Sequence, residues 1–191
     1  MFHTLRYFSC DGTMPLTPKP FYQIYSLHGV HADLPERMES SLIAYALLPG
    51  KEEQHYLQFF NVLSLKVQQE FGDIGGAKTF VFDHELGAIN AAKQIFNRPN
   101  DKFISCYFHY SQNLVKKANE LGLKAFWDEP ELRKFIRHLQ GGVFLPEELC
   151  AVVWTHTLNN PPRLNGNRRF NDAIDSFVNY FQFWQNVGII I

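Results

Sequence analysis

The sequence predicts an α/β fold, a mixed five-stranded sheet flanked by helices and followed by a purely helical segment. Three observations predict it. Three strand-like segments come first with no helix between them, which implies an antiparallel meander. Strands then alternate with helices, which implies parallel crossovers. Beyond Gly122 only helical patterns remain.

The apolar run at 5–10 reads as a short buried strand, stopped by the turn signal Asp11-Gly12-Thr13. Pro15, Pro18 and Pro20 keep the next stretch from being helix. Residues 21–28 alternate apolar and polar, as a strand with one wet face does. A polar loop over 29–39 leads to a third strand at 42–48, closed by Pro49-Gly50. Tyr56, Phe60, Leu63, Val67 and Phe71 then form the apolar stripe of a helix over 53–71, broken by the glycine-rich stretch 72–76. A fourth strand at 78–82 ends at Asp83. Leu86, Ile89, Ala92 and Phe96 mark a second helix, and 103–106 a fifth strand. Tyr110, Leu114, Ala118 and Leu121 stripe a third helix, ended by Gly122. The change of texture places a boundary near 123, dividing a sheet domain over 1–122 from a helical segment over 123–191. Helices are expected at 130–140, 146–156 and 173–185, the last two separated by the polar run 159–171. The apolar end Gly188-Ile189-Ile190-Ile191 rests on no element, so the chain looks cut short.

Composition narrows the function classes. The chain has 191 residues, 46% of them hydrophobic and 15% aromatic, which is ample for a core. Eighteen Lys+Arg against nineteen Asp+Glu leave a formal net charge of -1, so any nucleic-acid contact must come from local patches. Lys116-Lys117, Arg133-Lys134, Arg137 and Arg168-Arg169 are such patches, although charge pairs on helices are mostly solvated surface. Cys10, Cys106 and Cys150 are too few for a secreted disulfide framework and favour a reducing compartment. No signal-peptide pattern opens the chain and no apolar run approaches the ~20 residues of a membrane span, so an intracellular protein without a membrane partner is expected. Dinucleotide, P-loop, serine-hydrolase and zincin motifs are absent.

Two residue groups carry chemistry. Asp11 and Asp83 each follow an apolar strand, and would meet if those strands are neighbours. Such a pair is costly without a cation, because close like charges raise each other's pKa, and Mg²⁺ favours carboxylate oxygens. Spacing alone favours the plainer reading, a turn residue and a helix cap. Cys106 and His109 form a Cys-x-x-His step, which is half a zinc site where structural zinc wants four ligands. Cys10 would be an additional candidate. The plainer alternative is a buried cysteine at a strand end and a histidine bonded at the sheet's edge. Zinc is not expected from this chain alone.

The blocks also resemble a known family. Asp11-Gly12-Thr13, the proline-rich gap, residues 21–28, Tyr45-Ala46-Leu47-Leu48-Pro49-Gly50-Lys51, Tyr56 and Phe60 are similar to the opening of MULE-type (Mutator-like element) transposase domains. Phe82-Asp83-His84-Glu85 with Ala88 and Ala91 resembles the family's second acidic motif. Cys106-Tyr107-Phe108-His109 with Gln112, Asn113 and Gly122-Leu123 resembles its Cys-x-x-His block. Phe177-Val178-Asn179-Tyr180-Phe181 with Trp184 resembles its aromatic insertion helix.

The resemblance implies a ribonuclease H-like fold with sheet order 3-2-1-4-5, and a DDE-type nuclease and strand-transferase acting on transposon-end DNA with Mg²⁺ or Mn²⁺. It makes Asp11 and Asp83 the first two catalytic acids and metal ligands. Cys106 and His109 become the pair that holds the site or targets flanking DNA. A nuclear location, for a eukaryotic chain, and a homo-oligomer go with it. One departure matters: the family's third acid lies on a helix after the insertion. Thr157-Leu158-Asn159-Asn160 lacks the following Glu, and Glu147 and Glu148 come too early. The amino-terminal DNA-binding domain and carboxy-terminal zinc knuckle are also missing. Little turnover is therefore expected of this chain alone. The competing expectation is a truncated or domesticated remnant serving as a DNA- or protein-interaction module without chemistry.

Overall fold

The computed structural model describes residues 5–31, 39–72 and 78–186. Most of the polar loop, the glycine-rich break at 73–76 and the apolar end at 188–191 lie outside the described residues. The chain separates after Cys106 into two compact units.

The first unit runs β1 (Tyr7–Thr13), β2 (Gln23–His31), β3 (Glu39–Leu48), α1 (Glu53–Phe71), β4 (Thr79–Phe82), α2 (Leu86–Phe96) and β5 (Lys102–Ser105). The sheet order is β3-β2-β1-β4-β5. β1, β2 and β3 pair antiparallel in chain order, while β4 pairs parallel with β1 and with β5. This is the mixed sheet that a meander followed by crossovers predicts.

One local expectation is corrected. Asp11-Gly12-Thr13 is not a turn after β1 but its last three residues, paired with Ser26, Tyr25 and Ile24 of β2. The long antiparallel partner extends the strand past the point where its apolar run stops. The parallel pairing with β4 does end earlier, at Cys10 opposite Phe82.

Side-chain alternation along β1 and β2 sends Phe8, Cys10, Tyr25 and Leu27 to one buried face. That face meets α1 through aromatic contacts, with Tyr25 at 4.9 Å from Tyr56 and edge-on to Phe59 and Phe60. Phe80 stacks on Phe8, Phe96 and Phe103 at 5.3, 4.9 and 5.5 Å, tying β1, α2 and β5 to the centre of the sheet. α1 and α2 pack against each other, and Gly87 lets them close: a Cβ there would stand 3.2 Å from the Lys51 carbonyl.

The second unit is helical: α3 (Tyr107–Glu120), α4 (Pro130–Gly141), α5 (Glu147–Asn159) and α6 (Arg168–Asn186), with short 3₁₀ turns at Leu123–Phe126 and Gly142–Phe144. α3 belongs here, ahead of the texture change at 123, because Tyr110, Leu114 and Ala118 join the cluster of Leu132, Phe135, Leu139, Trp154, Ile174 and Phe177. α6 begins within the polar run that reads as loop. Asn167 caps it by accepting the Phe170 N–H at 3.0 Å, and Arg168 pairs with Asp172 one turn on. Among the described residues no helix is long and apolar enough to cross a membrane.

The centre of this unit is a single carbonyl. Leu139 accepts from the Tyr110 hydroxyl at 2.7 Å and from the Trp154 indole at 3.0 Å, which satisfies two large amphipathic side chains at one helix end. Trp154 reaches it by passing against Gly142, where a Cβ would overlap the indole nitrogen. Gly142→Ala is therefore expected to destabilise the chain by about 1–3 kcal/mol through overpacking. Gly141→Ala, helical and with open space around its Cβ, should instead raise stability by roughly 0.5–1 kcal/mol. Equal effects of the two substitutions in urea titrations would show that Trp154 does not depend on that gap.

Candidate active site

β1 and β4 lie side by side and parallel, with Cys10 opposite Phe82. The next residue on each chain is an aspartate, and the Asp83 N–H still reaches the Cys10 carbonyl at 3.3 Å. Asp11 and Asp83 are thus brought together, as the sequence expects if their strands are neighbours. Their surroundings differ. Asp11 is half-buried, whereas Asp83 is 7% exposed.

The Asp83 carboxylate accepts the backbone N–H of Gly12, and its Oδ1 is buried with no hydrogen-bond donor. Burial raises its pKa first, then the charges of Glu85 and Asp11, against the opposing pull of Lys51 and the Gly12 N–H, to about 7. A buried acceptor without a donor beside a second carboxylate is a place that suits a hard divalent cation. Asp11 and Asp83 are the oxygen donors that would hold it. The pair is not a full ligand set: among the described residues no group of three or more His, Cys, Asp and Glu is arranged to hold a metal ion.

A second polar layer lies beneath the pair. Glu85 accepts from the Lys51 ammonium with one oxygen and from the Tyr56 hydroxyl with the other. Tyr56 accepts from the Gln23 amide at 2.7 Å, and the same amide reaches the Gly50 carbonyl at 3.3 Å. Gln23 is fully buried, and its Oε1 faces Gly12 so closely that any Cβ at 12 would overlap it. The same Cβ would stand 3.5 Å from Asp83 Oδ2. Gly12 is required by that space. His84 turns aside to Ser105, 3.3 Å from Nδ1 to Oγ.

The remaining predicted residues occupy other places. Cys10 is buried against Tyr25 on the α1 face, and burial pushes its thiol pKa far up, which unsuits it as a ligand. Cys106 is a half-buried free cysteine whose N–H continues the sheet by donating to the Phe82 carbonyl at 2.6 Å. It ends the first unit. His109 lies in the first turn of α3, in the second unit, with its ring edge-on to Phe108. A groove of about 600 Å³ runs between β3 and α1 past Tyr45, Leu47, Phe59 and Val62, but none of the acids of the site lines it.

The sequence places Glu85, Lys51, Tyr56 and Gln23 in motifs, strands or the helix stripe but gives none of them a role at the site. One signal was available: Gln23 shares the inward register of Tyr25 and Leu27, where a polar residue needs a buried partner.

The raised pKa of Asp83 sets a pH dependence. At pH below the ordinary Asp value of 3.8 the group is protonated in both folded and unfolded chains. Between there and about 7 the unfolded chain releases the proton while the folded chain keeps it, so stability falls as pH rises across that window. Asp83→Asn, neutral throughout, should lose this component and gain on the order of 3–4 kcal/mol over the parent at pH 8 relative to pH 4. Urea titrations across that range measure the difference, and parallel curves for the two proteins would refute it. Comparison with known protein families and with curated proteins finds no match to this chain.

Proposed function

We propose that the first unit is the ribonuclease H-like catalytic-core portion of a Mutator-like DNA transposase, a DDE-type domain for metal-dependent cleavage and strand transfer at transposon ends. The observation that carries this reading is the Asp11–Asp83 pair on neighbouring parallel strands, with a buried Asp83 oxygen that no donor reaches. The sheet order β3-β2-β1-β4-β5, with its first three strands antiparallel, agrees with it. So does the placement of the second acid just beyond a central strand.

Mg²⁺ or Mn²⁺ bound there would polarise a phosphodiester and lower the pKa of an attacking water. The chain's own residues have narrower tasks. Asp83 in its ionised form would hold the ion, Asp11 would supply the second anionic oxygen at the more open side, and the Gly12 N–H aims the Asp83 carboxylate. Transposon-end DNA is the partner this reading requires, in the nucleus of a eukaryotic cell, with a second copy of the chain as a further partner. Cys106 and His109 serve under it to hold the site or to target flanking DNA. A second reading, an interaction module without turnover, is favoured by one observation: the described residues offer the ion two carboxylates and no three-member ligand group.

Thermal melting in Mn²⁺ tests the ion site. At one hundred times its Kd, an ion that binds only the folded chain stabilises it by about 2.7 kcal/mol. The parent should show that upward shift in Tm, and Asp11→Ala and Asp83→Ala should lose it, while Glu131→Gln on the exposed face of α4 keeps it. A shift shared by all four proteins would remove the site. Strand cleavage of inverted-repeat DNA, lost in Asp83→Asn, would decide between the catalytic and the non-catalytic reading.

A further inference from the structure

Glu85 is the third carboxylate near Asp11 and Asp83, and the obvious candidate for a third ligand. The geometry assigns it other work. Both of its oxygens are engaged, one by Lys51 and one by Tyr56. Its side chain is 14% exposed against 39% for Lys51, so the ion pair has a buried end and a wet end.

The hydrogen bonds run in one direction. Tyr56 donates to Glu85, and burial together with that carboxylate pushes its pKa far up, so it stays a donor. Its oxygen is left to accept, and the Gln23 amide supplies that bond at 2.7 Å. Gln23 Nε2 is therefore committed to Tyr56 and Gly50, which turns Oε1 toward Gly12. Gly12 is the residue whose N–H aims the Asp83 carboxylate. The network Lys51–Glu85–Tyr56–Gln23 thus borders Asp83 on two sides: at Glu85, two residues along the same loop, and at Gly12, against which Gln23 Oε1 packs without a hydrogen bond. The loop itself is drawn tight, with the Glu85 N–H 2.6 Å from the Asp83 carbonyl.

We infer that Glu85, Tyr56 and Gln23 are positioning residues for the ion site and that Glu85 does not ligate the ion. This rests on the reading of Asp11 and Asp83 as that site. Partners that orient a ligand from behind typically matter by 10–100-fold in metal affinity. They act as a unit, so their losses do not add.

Mn²⁺ titration of the purified chain, followed by the six-line electron paramagnetic resonance signal of the free ion, reads the affinity without any need for turnover. Melting in the absence of ion reports folding separately. Tyr56→Phe changes no charge and should weaken Mn²⁺ binding about tenfold. Glu85→Ala should do the same, and the Tyr56→Phe/Glu85→Ala double variant should be no weaker than the worse single one. Glu85→Gln keeps an oxygen to accept from Tyr56, while the more exposed Lys51 ammonium can turn to solvent, and should retain affinity within about threefold. The Gln and Ala pair at Glu85 remains informative even if Tyr56→Phe does not fold. A Glu85→Gln loss equal to that of Glu85→Ala would make Glu85 a ligand and overturn the inference. So would unchanged affinity in Glu85→Ala. Absence of Mn²⁺ binding by the unsubstituted chain overturns the ion site itself and this inference with it, which is a different result from binding that ignores the substitutions.

Discussion

Two carboxylates, Asp11 inside β1 and Asp83 just past the parallel β4, repel each other, and much of the polar structure of the first unit answers that repulsion. β4 must enter beside β1 for the sheet to close its aromatic core, and the Cys10–Phe82 register leaves Asp11 and Asp83 next to each other. Water cannot reach the inner aspartate well enough to relieve it. Burial and the neighbouring charges push its carboxyl up to about 7, opposed by the Gly12 N–H and the field of Lys51. What the protein does not supply is a donor for Asp83 Oδ1. Natural proteins seldom leave a buried acceptor in that condition without a role for it.

The apolar part of the structure makes this arrangement affordable. Phe8, Phe80, Phe82, Phe96 and Tyr25 are almost entirely removed from water, and their ring contacts span β1, β2, β4, α1 and α2. Burial on that scale contributes roughly 1.5–3 kcal/mol for each such side chain, enough to carry one strained carboxylate pair. The aromatic core and the polar layer share a residue. Tyr56 packs its ring on Tyr25 and places its hydroxyl between Gln23 and Glu85, so α1 cannot shift without disturbing both.

The helical unit is built on a different economy. Its core is a continuous cluster from α3 to α6, and its polar interior is small: two side-chain donors converge on Leu139. Its surface bonds, such as Arg163 with Asp175 and Arg168 with Asp172, are exposed pairs of modest worth. Among its described residues no carboxylate is buried as Asp83 is.

Element identity was legible along the chain because burial follows backbone period. The stripe from Tyr56 to Phe71 predicts α1 to the residue, and the compact run ending at Phe82 predicts β4 to within one residue. Ends set by partners were not legible. β1 runs on through Asp11-Gly12-Thr13 because β2 pairs with it, and α6 starts early because Asn167 caps it. Asp11 and Asp83 stood out as acids at strand ends, but their adjacency depends on strand order, which no local pattern encodes. Gln23, Lys51 and Tyr56 were further from view, since each looks ordinary until the sheet and α1 bring them to Glu85. The sequence by itself determined which segments are strands and helices and which faces they bury, because those follow from the 2.0 and 3.6 residue periods of the backbone. Only the tertiary structure decided which polar groups meet, because that is settled by contacts between residues far apart in the chain.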